Sequence, residues 1–198
     1  MNTSAIGVQQ PWQELILGGQ KSGKTRRAEE AARTWVDGAA ERRAVYVATA
    51  QAWDAEMRQR IDRHQVDRAQ RVPGMLTVEA PRYLAQALQA HSDPKTLVVV
   101  DCLTLWLTHW MMPMEGKEYE ENPAFKQDWQ AQRALFLEVL PRCPGPVVVV
   151  GNEIGLGVIP MGREVRAFVD ALGTLNQDVA RVCSRVTLMA AGLPLQLK

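Results

Sequence analysis

Cysteine is scarce and scattered. The three present, Cys102, Cys143 and Cys183, form no Cys-x-x-Cys pair and no cluster with histidine. That spacing excludes a disulfide framework and a structural zinc site, and it leads us to expect reduced thiols. No apolar run approaches the ~20 residues of a membrane-spanning helix. The opening residues, Met-Asn-Thr-Ser-Ala-Ile-Gly-Val-Gln-Gln-Pro, lack the basic and apolar regions of a secretory signal. The expected compartment is the cytoplasm. A dominant charge is missing too: 23 Lys and Arg against 22 Asp and Glu leave a net charge of +1, so there is no electrostatic footprint for nucleic acid or for an anionic membrane. Repeats and low-complexity segments are also absent. What remains is an ordinary globular composition, 46% hydrophobic and 23% charged over 198 residues. That length suffices for one domain burying roughly 70% of the surface of its unfolded chain. Residues 1–13 read as a flexible leader and residues 14–198 as a single domain.

The most informative stretch is residues 14–25, Glu-Leu-Ile-Leu-Gly-Gly-Gln-Lys-Ser-Gly-Lys-Thr. A short apolar strand, Leu15 to Leu17, runs into Gly18, Gly19, Gln20, Lys21, Ser22, Gly23, Lys24 and Thr25, and a breaker-free run of helix formers follows. This is the phosphate-cradling loop in its confirming context of strand, glycine-rich turn and helix N-terminus. Glycines at 18, 19 and 23 are expected to take positive φ and to let backbone approach phosphate oxygens. The loop N–H groups and the helix dipole then favour an anion. Lys24 is placed to bridge the β- and γ-phosphates, and the Thr25 hydroxyl to ligate Mg²⁺. The chain is expected to bind a nucleoside triphosphate, GTP or ATP.

Further strands are expected at Ala44–Ala48, Leu76–Glu79, Leu97–Val100, Pro146–Val150 and Val186–Ala190. Helices are expected at 23–36, 53–69, 82–91, 103–112, 124–140 and 163–183, and residues 113–123 read as a mobile loop. Continuous apolar strands alternating with helices predict an α/β fold, a mostly parallel sheet covered on both faces. Ligands of such sheets lie beyond the carboxyl ends of the strands, which directs attention to Gly18, Thr49, Glu79, Asp101 and Asn152.

Asp101 ends Leu-Val-Val-Val-Asp, the form of a strand whose carboxylate holds Mg²⁺; its other reading is an N-cap for the following helix. His64 shares a helical stripe with Trp53, Met57, Ile61 and Arg68, at spacings of 4, 4, 3 and 4. Glu56/Arg60, Arg58/Asp62 and Arg63/Asp67 are expected to pair at i,i+4 on the other faces. On that stripe His64 is either a satisfied core histidine or, beside a nucleotide, a nucleophile. Asn152-Glu153-Ile-Gly-Leu-Gly is not the guanine-reading Asn-Lys-x-Asp of switch GTPases. His91 and His109 have no partner pattern and read as structural.

Together these residues resemble the bifunctional adenosylcobinamide kinase / adenosylcobinamide-phosphate guanylyltransferase family of cobalamin biosynthesis. The resemblance runs from about Glu14 to Lys198, essentially the whole chain. It rests on Gly-Gly-x-x-Ser-Gly-Lys-Thr at 18–25, Tyr-Val-Ala-Thr-Ala at 46–50 and Asp-x-Glu-Met-x-x-Arg-Ile-x-x-His at 54–64. Thr-Val-Glu-Ala-Pro at 77–81, Asp-Cys-Leu-Thr at 101–104 and Asn-Glu-Ile-Gly-Leu-Gly-Val-Ile-Pro at 152–160 extend it. The chain departs from the family pattern at Met75, at Val169 between Phe168 and Asp170, and by about three extra residues after His64.

The resemblance implies a P-loop, RecA-like fold and two reactions. One phosphorylates adenosylcobinamide with ATP or GTP. The other moves GMP from GTP, through a guanylylated histidine, to give adenosylcobinamide-GDP. By the same resemblance the histidine is His64, the guanine nucleotide touches Ala48, Thr49, Ala50, Gln65, Val66, Asp67, Arg68, Glu79 and Asp101, and the protein is a homotrimer. Two rival readings are a kinase without guanylyl transfer and a RecA-type module driven by ATP hydrolysis.

Overall fold

The computed structural model describes residues 11–112 and 123–198. The loop expected at 113–123 falls almost wholly outside them, as does most of the leader. The described residues form β1 (Gln13–Gly18), α1 (Lys24–Asp37), β2 (Arg43–Ala48), α2 (Ala55–Arg71), β3 (Leu76–Glu79), α3 (Leu84–His91) and β4 (Thr96–Asp101). α4 (Leu103–Met111), α5 (Pro123–Val139), β5 (Val147–Val150), α6 (Arg163–Val182), β6 (Arg185–Ala190) and β7 (Leu193–Gln196) complete them. These strands make one sheet in the order β3-β2-β4-β5-β1-β6-β7. All neighbours pair in parallel except β6 and β7. The fold is an α/β, RecA-like P-loop architecture, with β5 lying between the strand that leads into the phosphate loop and β4.

Strand alternation sorts the core into two layers. Leu15, Leu17, Val45, Val47, Val98, Val100, Val147 and Val149 face one side with α3 to α6. Trp106 is fully buried at the heart of this layer, with ring centroids 4.9 Å from Trp129 and 5.1 Å from Phe136. Ile16, Ala44, Tyr46, Leu97, Val99, Val148 and Val150 face the other side, where Ala28 and Ala32 of α1 cover them. This second layer is thinner because its other helix, α2, buries no apolar residue; Arg68 is the one α2 side chain below the surface. Both faces of the sheet are apolar, but the second is covered by α1 and by the polar helix α2, which carries His64.

Three expectations are corrected. β1 starts at Gln13, which is buried, and Trp12 packs on the core with Arg185 over its ring at 4.7 Å, so ordered structure begins before Glu14. β7 was not expected; it returns antiparallel to β6 through a turn in which Ala191 and Gly192 both take positive φ, 52° and 80°. Trp53 is not on the second helix. Asp54 caps that helix by accepting from the Met57 N–H at 2.6 Å, while Trp53 packs edge-on against His109.

Candidate active site

Gly18 leaves the sheet at φ 153°, where a Cβ would lie 2.5 Å from the Met189 carbonyl oxygen and from Ser22 Oγ. Gly23 at φ 100° is the N-cap of α1. The third left-handed residue of the loop is Lys21, φ 56°, and not Gly19, which has open space around it. Lys21 is exposed, and Gly19 has nothing within 4 Å of where a Cβ would lie. The loop is tied at both ends: the Ser22 carbonyl accepts from Gly192 at 3.1 Å, and the Gly18 carbonyl from Glu153 at 3.0 Å. The β6–β7 turn and the residues after β5 thus brace the phosphate loop.

Lys24 is buried, and its Nζ donates to the Gly19 carbonyl at 2.6 Å. Burial lowers its pKa, an effect that the nearby Asp101 carboxylate partly offsets. Thr25, one residue on, donates from Oγ1 to Asp101 Oδ2 at 2.8 Å. Asp101 is not a helix cap: Cys102 is the N-cap of α4, and no side chain bonds there. Asp101 instead has two donors on one oxygen, Thr25 and the Tyr46 phenol at 2.9 Å. Its other oxygen has no protein partner among the described residues. The Thr25 hydroxyl and the open Asp101 oxygen are donors that suit a hard cation: Mg²⁺ takes one or two protein oxygens and fills its remaining positions with phosphate and water.

Behind this pair lies a buried polar layer. Ala48 pairs with Asp101, so Tyr46 is the diagonal neighbour of Asp101 on the same face. Tyr46 is 6% exposed, and burial raises its pKa. Arg68 stacks on its ring at 3.8 Å and donates to Thr77 Oγ1 at 3.0 Å. Glu29, one turn beyond Thr25 on α1, is fully buried and takes Arg71 at 2.6 Å. Burial raises the Glu29 pKa despite that partner.

His64 is half-buried on α2 with Met57, Ile61 and the buried Arg68, the stripe expected from spacing. The three expected i,i+4 pairs do not form among the described residues. Arg60, a turn before His64 on the same face, reaches the phosphate loop: the Gln20 amide oxygen, turned toward it, accepts at 3.0 and 3.2 Å. Asp67 pairs with Arg71 at 3.5 Å. Gln65 and Val66 are exposed, and Glu79 stands on the wall of an open cleft of about 540 Å³ with Gln51, Arg82 and Tyr83. Ala48 and Ala50 are half-buried at the end of β2. Thr49 between them is fully buried and latches the strand ends: its hydroxyl donates to the Cys102 carbonyl at 2.8 Å and accepts from the Cys102 N–H at 2.7 Å.

His109 has its Nε2 2.7 Å from the Thr49 carbonyl, and burial lowers its pKa. A neutral ring donating there is a structural histidine. The three cysteines are free and buried, and burial pushes Cys102 and Cys183 up to about 12. Arg60 and Tyr46 were the site residues missed. Spacing assigns Arg60 to a pair with Glu56 off the His64 stripe, although it lies one turn before His64. Tyr46 stood within a quoted motif, and only strand register reveals what its hydroxyl meets.

Sequence comparison adds to this geometry. The family model described as cobinamide kinase / cobinamide phosphate guanyltransferase matches residues 14–197. The chain belongs to this family. Among relatives, it is 42% identical to the bifunctional adenosylcobalamin biosynthesis protein CobP of Pseudomonas aeruginosa, over 93% of this chain and 96% of that one. It is 30% identical to the bifunctional adenosylcobalamin biosynthesis protein CobU of Escherichia coli, over 93% and 98%. Among solved structures, flagellar accessory protein FlaH from Methanocaldococcus jannaschii superposes with a TM-score of 0.51 at 11% identity, covering 97% of this chain and 80% of that one. That likeness concerns the fold alone. No helix among the described residues is long and apolar enough to cross a membrane.

Proposed function

We propose that this chain is a bifunctional cobalamin-biosynthesis enzyme that uses one triphosphate site for both a phosphoryl and a guanylyl transfer. The observation that carries the reading is the convergence on one loop: Lys24 and Thr25 lie within it, Asp101 is bonded to Thr25, and α2 brings Arg60, with His64 a turn away, against Gln20. In the first reaction the aminopropanol hydroxyl of adenosylcobinamide attacks the γ-phosphorus of ATP or GTP, the β–γ bridging bond breaks, and the nucleoside diphosphate leaves. In the second, His64 imidazole attacks the α-phosphorus of GTP and expels pyrophosphate, leaving a phosphoramidate. The phosphate of adenosylcobinamide phosphate then attacks that phosphorus, the P–N bond breaks, and adenosylcobinamide-GDP is formed with His64 restored.

Lys24 stabilises charge on the phosphoryl oxygens, and Thr25 and Asp101 would hold Mg²⁺, which when bound neutralises the triphosphate. Glu79, on its cleft wall, is suited to accept from the N–H edge of guanine. Ala48, Ala50, Gln65, Val66 and Asp67 complete the nucleotide contacts in this reading, while Thr49 and Arg68, buried and bonded elsewhere, support the strand ends and Tyr46 beneath them. The reading is supported by their positions: Ala48 and Glu79 end β2 and β3, Thr49 and Ala50 follow β2, and Gln65 to Arg68 lie on α2. The protein acts in the cytoplasm as a homotrimer. Leu156, Val158, Ile159 and Met161 are 76–96% exposed, an apolar strip that a neighbouring copy would cover, and light scattering reads the mass.

Product analysis tests the enzymatic reading. GTP alone should release one burst of pyrophosphate. GTP with adenosylcobinamide should sustain turnover, yielding GDP from the kinase step and pyrophosphate from guanylylation. A kinase lacking the second activity yields no pyrophosphate, and a hydrolysing module yields phosphate without corrinoid. Asp101→Asn tests the metal assignment. Asparagine keeps the shape and can still accept from Thr25 and Tyr46 through its amide oxygen, so a purely structural role predicts unchanged activity. A metal role predicts a Mg²⁺ requirement raised about tenfold or more, read by titrating Mg²⁺ at fixed GTP.

A further inference from the structure

Tyr46 sits where the core asks only for an apolar ring. It faces the thin layer with Leu97, Val99 and Val148, and phenylalanine would fill that space. The hydroxyl adds a polar group to a residue only 6% exposed, which costs free energy unless it is bonded. Its one bond goes to Asp101 Oδ2 at 2.9 Å, the same oxygen that Thr25 Oγ1 meets at 2.8 Å. A carboxylate turns easily about its last torsion. Two donors converging on one oxygen, one from α1 and one from β2, pin that torsion and leave Oδ1 as the presented oxygen. The Tyr46 ring cannot swing away from this duty. Arg68 covers its face at 3.8 Å and is itself held by Thr77 at 3.0 Å.

We propose that Tyr46 is a positioning residue for the metal–triphosphate site, its phenol fixing the carboxylate of Asp101 while its ring is clamped by Arg68. The inference rests on the metal reading given above. Thr25 and Asp101 would both hold the cation, and the phenol, which would not, is the donor that holds the Asp101 carboxylate in its orientation. The same clamp connects the metal carboxylate to α2, the helix of His64, through Arg68.

The experiment is a Mn²⁺ titration followed by electron paramagnetic resonance in the presence of GTP. It is run on wild type, Tyr46→Phe, Asp101→Asn and the double variant. Tyr46→Phe keeps the ring and the Arg68 stack and removes only the donor. We expect its Mn²⁺ affinity to fall about tenfold, as for other partners that orient a ligand. Binding of a fluorescent GTP analogue in EDTA should be unchanged, which checks that the site is folded. Raising Mg²⁺ should restore guanylylation by Tyr46→Phe, an effect on apparent metal affinity and not on the saturated rate.

The double variant should bind Mn²⁺ no more weakly than Asp101→Asn, because the phenol acts through that carboxylate. Wild-type Mn²⁺ affinity in Tyr46→Phe, or penalties that add in the double variant, would overturn the proposal while leaving the metal reading intact. Wild-type affinity in Asp101→Asn would remove the metal reading and the proposal together.

Discussion

His64→Ala should take up no label from GTP carrying radioactive α-phosphate, whereas the wild-type chain is marked by it and not by γ-labelled GTP. The distinction follows from the bond that breaks. Attack at the α-phosphorus retains the nucleoside monophosphate on the protein and releases the β- and γ-phosphates as pyrophosphate. The adduct is a phosphoramidate, so its label should be lost in acid and kept in alkali. His64→Ala should retain phosphorylation of adenosylcobinamide, because that step passes from triphosphate to hydroxyl with no protein intermediate. The variant should also fold, since His64 is only half-buried and no bond to it is among those described. Undiminished α-label on His64→Ala would sink the assignment. His109 would be a poor replacement, with its ring buried against Trp53 and its Nε2 committed to Thr49. His91, half-buried at the end of α3, would be examined next.

The stripe that carries His64 also marks where sequence reading stopped. Its periodicity was legible: Met57, Ile61, His64 and Arg68 are the less exposed side of α2. The charges between them were not. Intrahelical pairing assumes that a long side chain takes its nearest opposite charge, worth only a few tenths of a kcal/mol in water. Arg60 reaches Gln20 off the helix, and Asp67 pairs not with Arg63 but with Arg71, which also takes the buried Glu29. Both choices depend on α2 lying beside α1, which no local pattern encodes.

The sheet itself was readable for the opposite reason. β4 and β5 are runs of valine and leucine buried on both faces, a signature that leaves few alternatives to a central parallel strand. β7 escaped because every residue in it is exposed, Pro194 argues against a strand unless it lies at an edge, and its turn begins with alanine at positive φ. Asp101 stood between two readings on sequence. The register that sets it beside Ala48, and α1 above it, decided that it bonds Thr25 and Tyr46 and caps nothing.

Lys24→Ala should lower the kinase rate by about a hundredfold to a thousandfold, the usual loss when one fixed donor to developing charge is removed. Guanylylation of His64 should fall with it, because one loop holds the triphosphate for both reactions. The ammonium is well placed for this. It is buried at 8% exposure, near the Asp101 carboxylate, and is held at 2.6 Å to the Gly19 carbonyl that forms the rim of the cradle. A buried, oriented charge interacts with phosphoryl oxygens in a low-dielectric setting, where its effect exceeds that of a solvated lysine. Its worth grows as charge shifts during bond cleavage, so the loss should appear mainly in kcat for the kinase and in the rate of label uptake for guanylylation. The fold should tolerate the change, since alanine suits the first turn of a helix and the removed bond lies within the loop. Adenosylcobinamide phosphorylation and α-label uptake, timed on the same preparation, supply the two rates. Wild-type values in both would mean that the loop does not hold the reacting triphosphate. A loss in one reaction with the other intact would mean that the two reactions use separate sites.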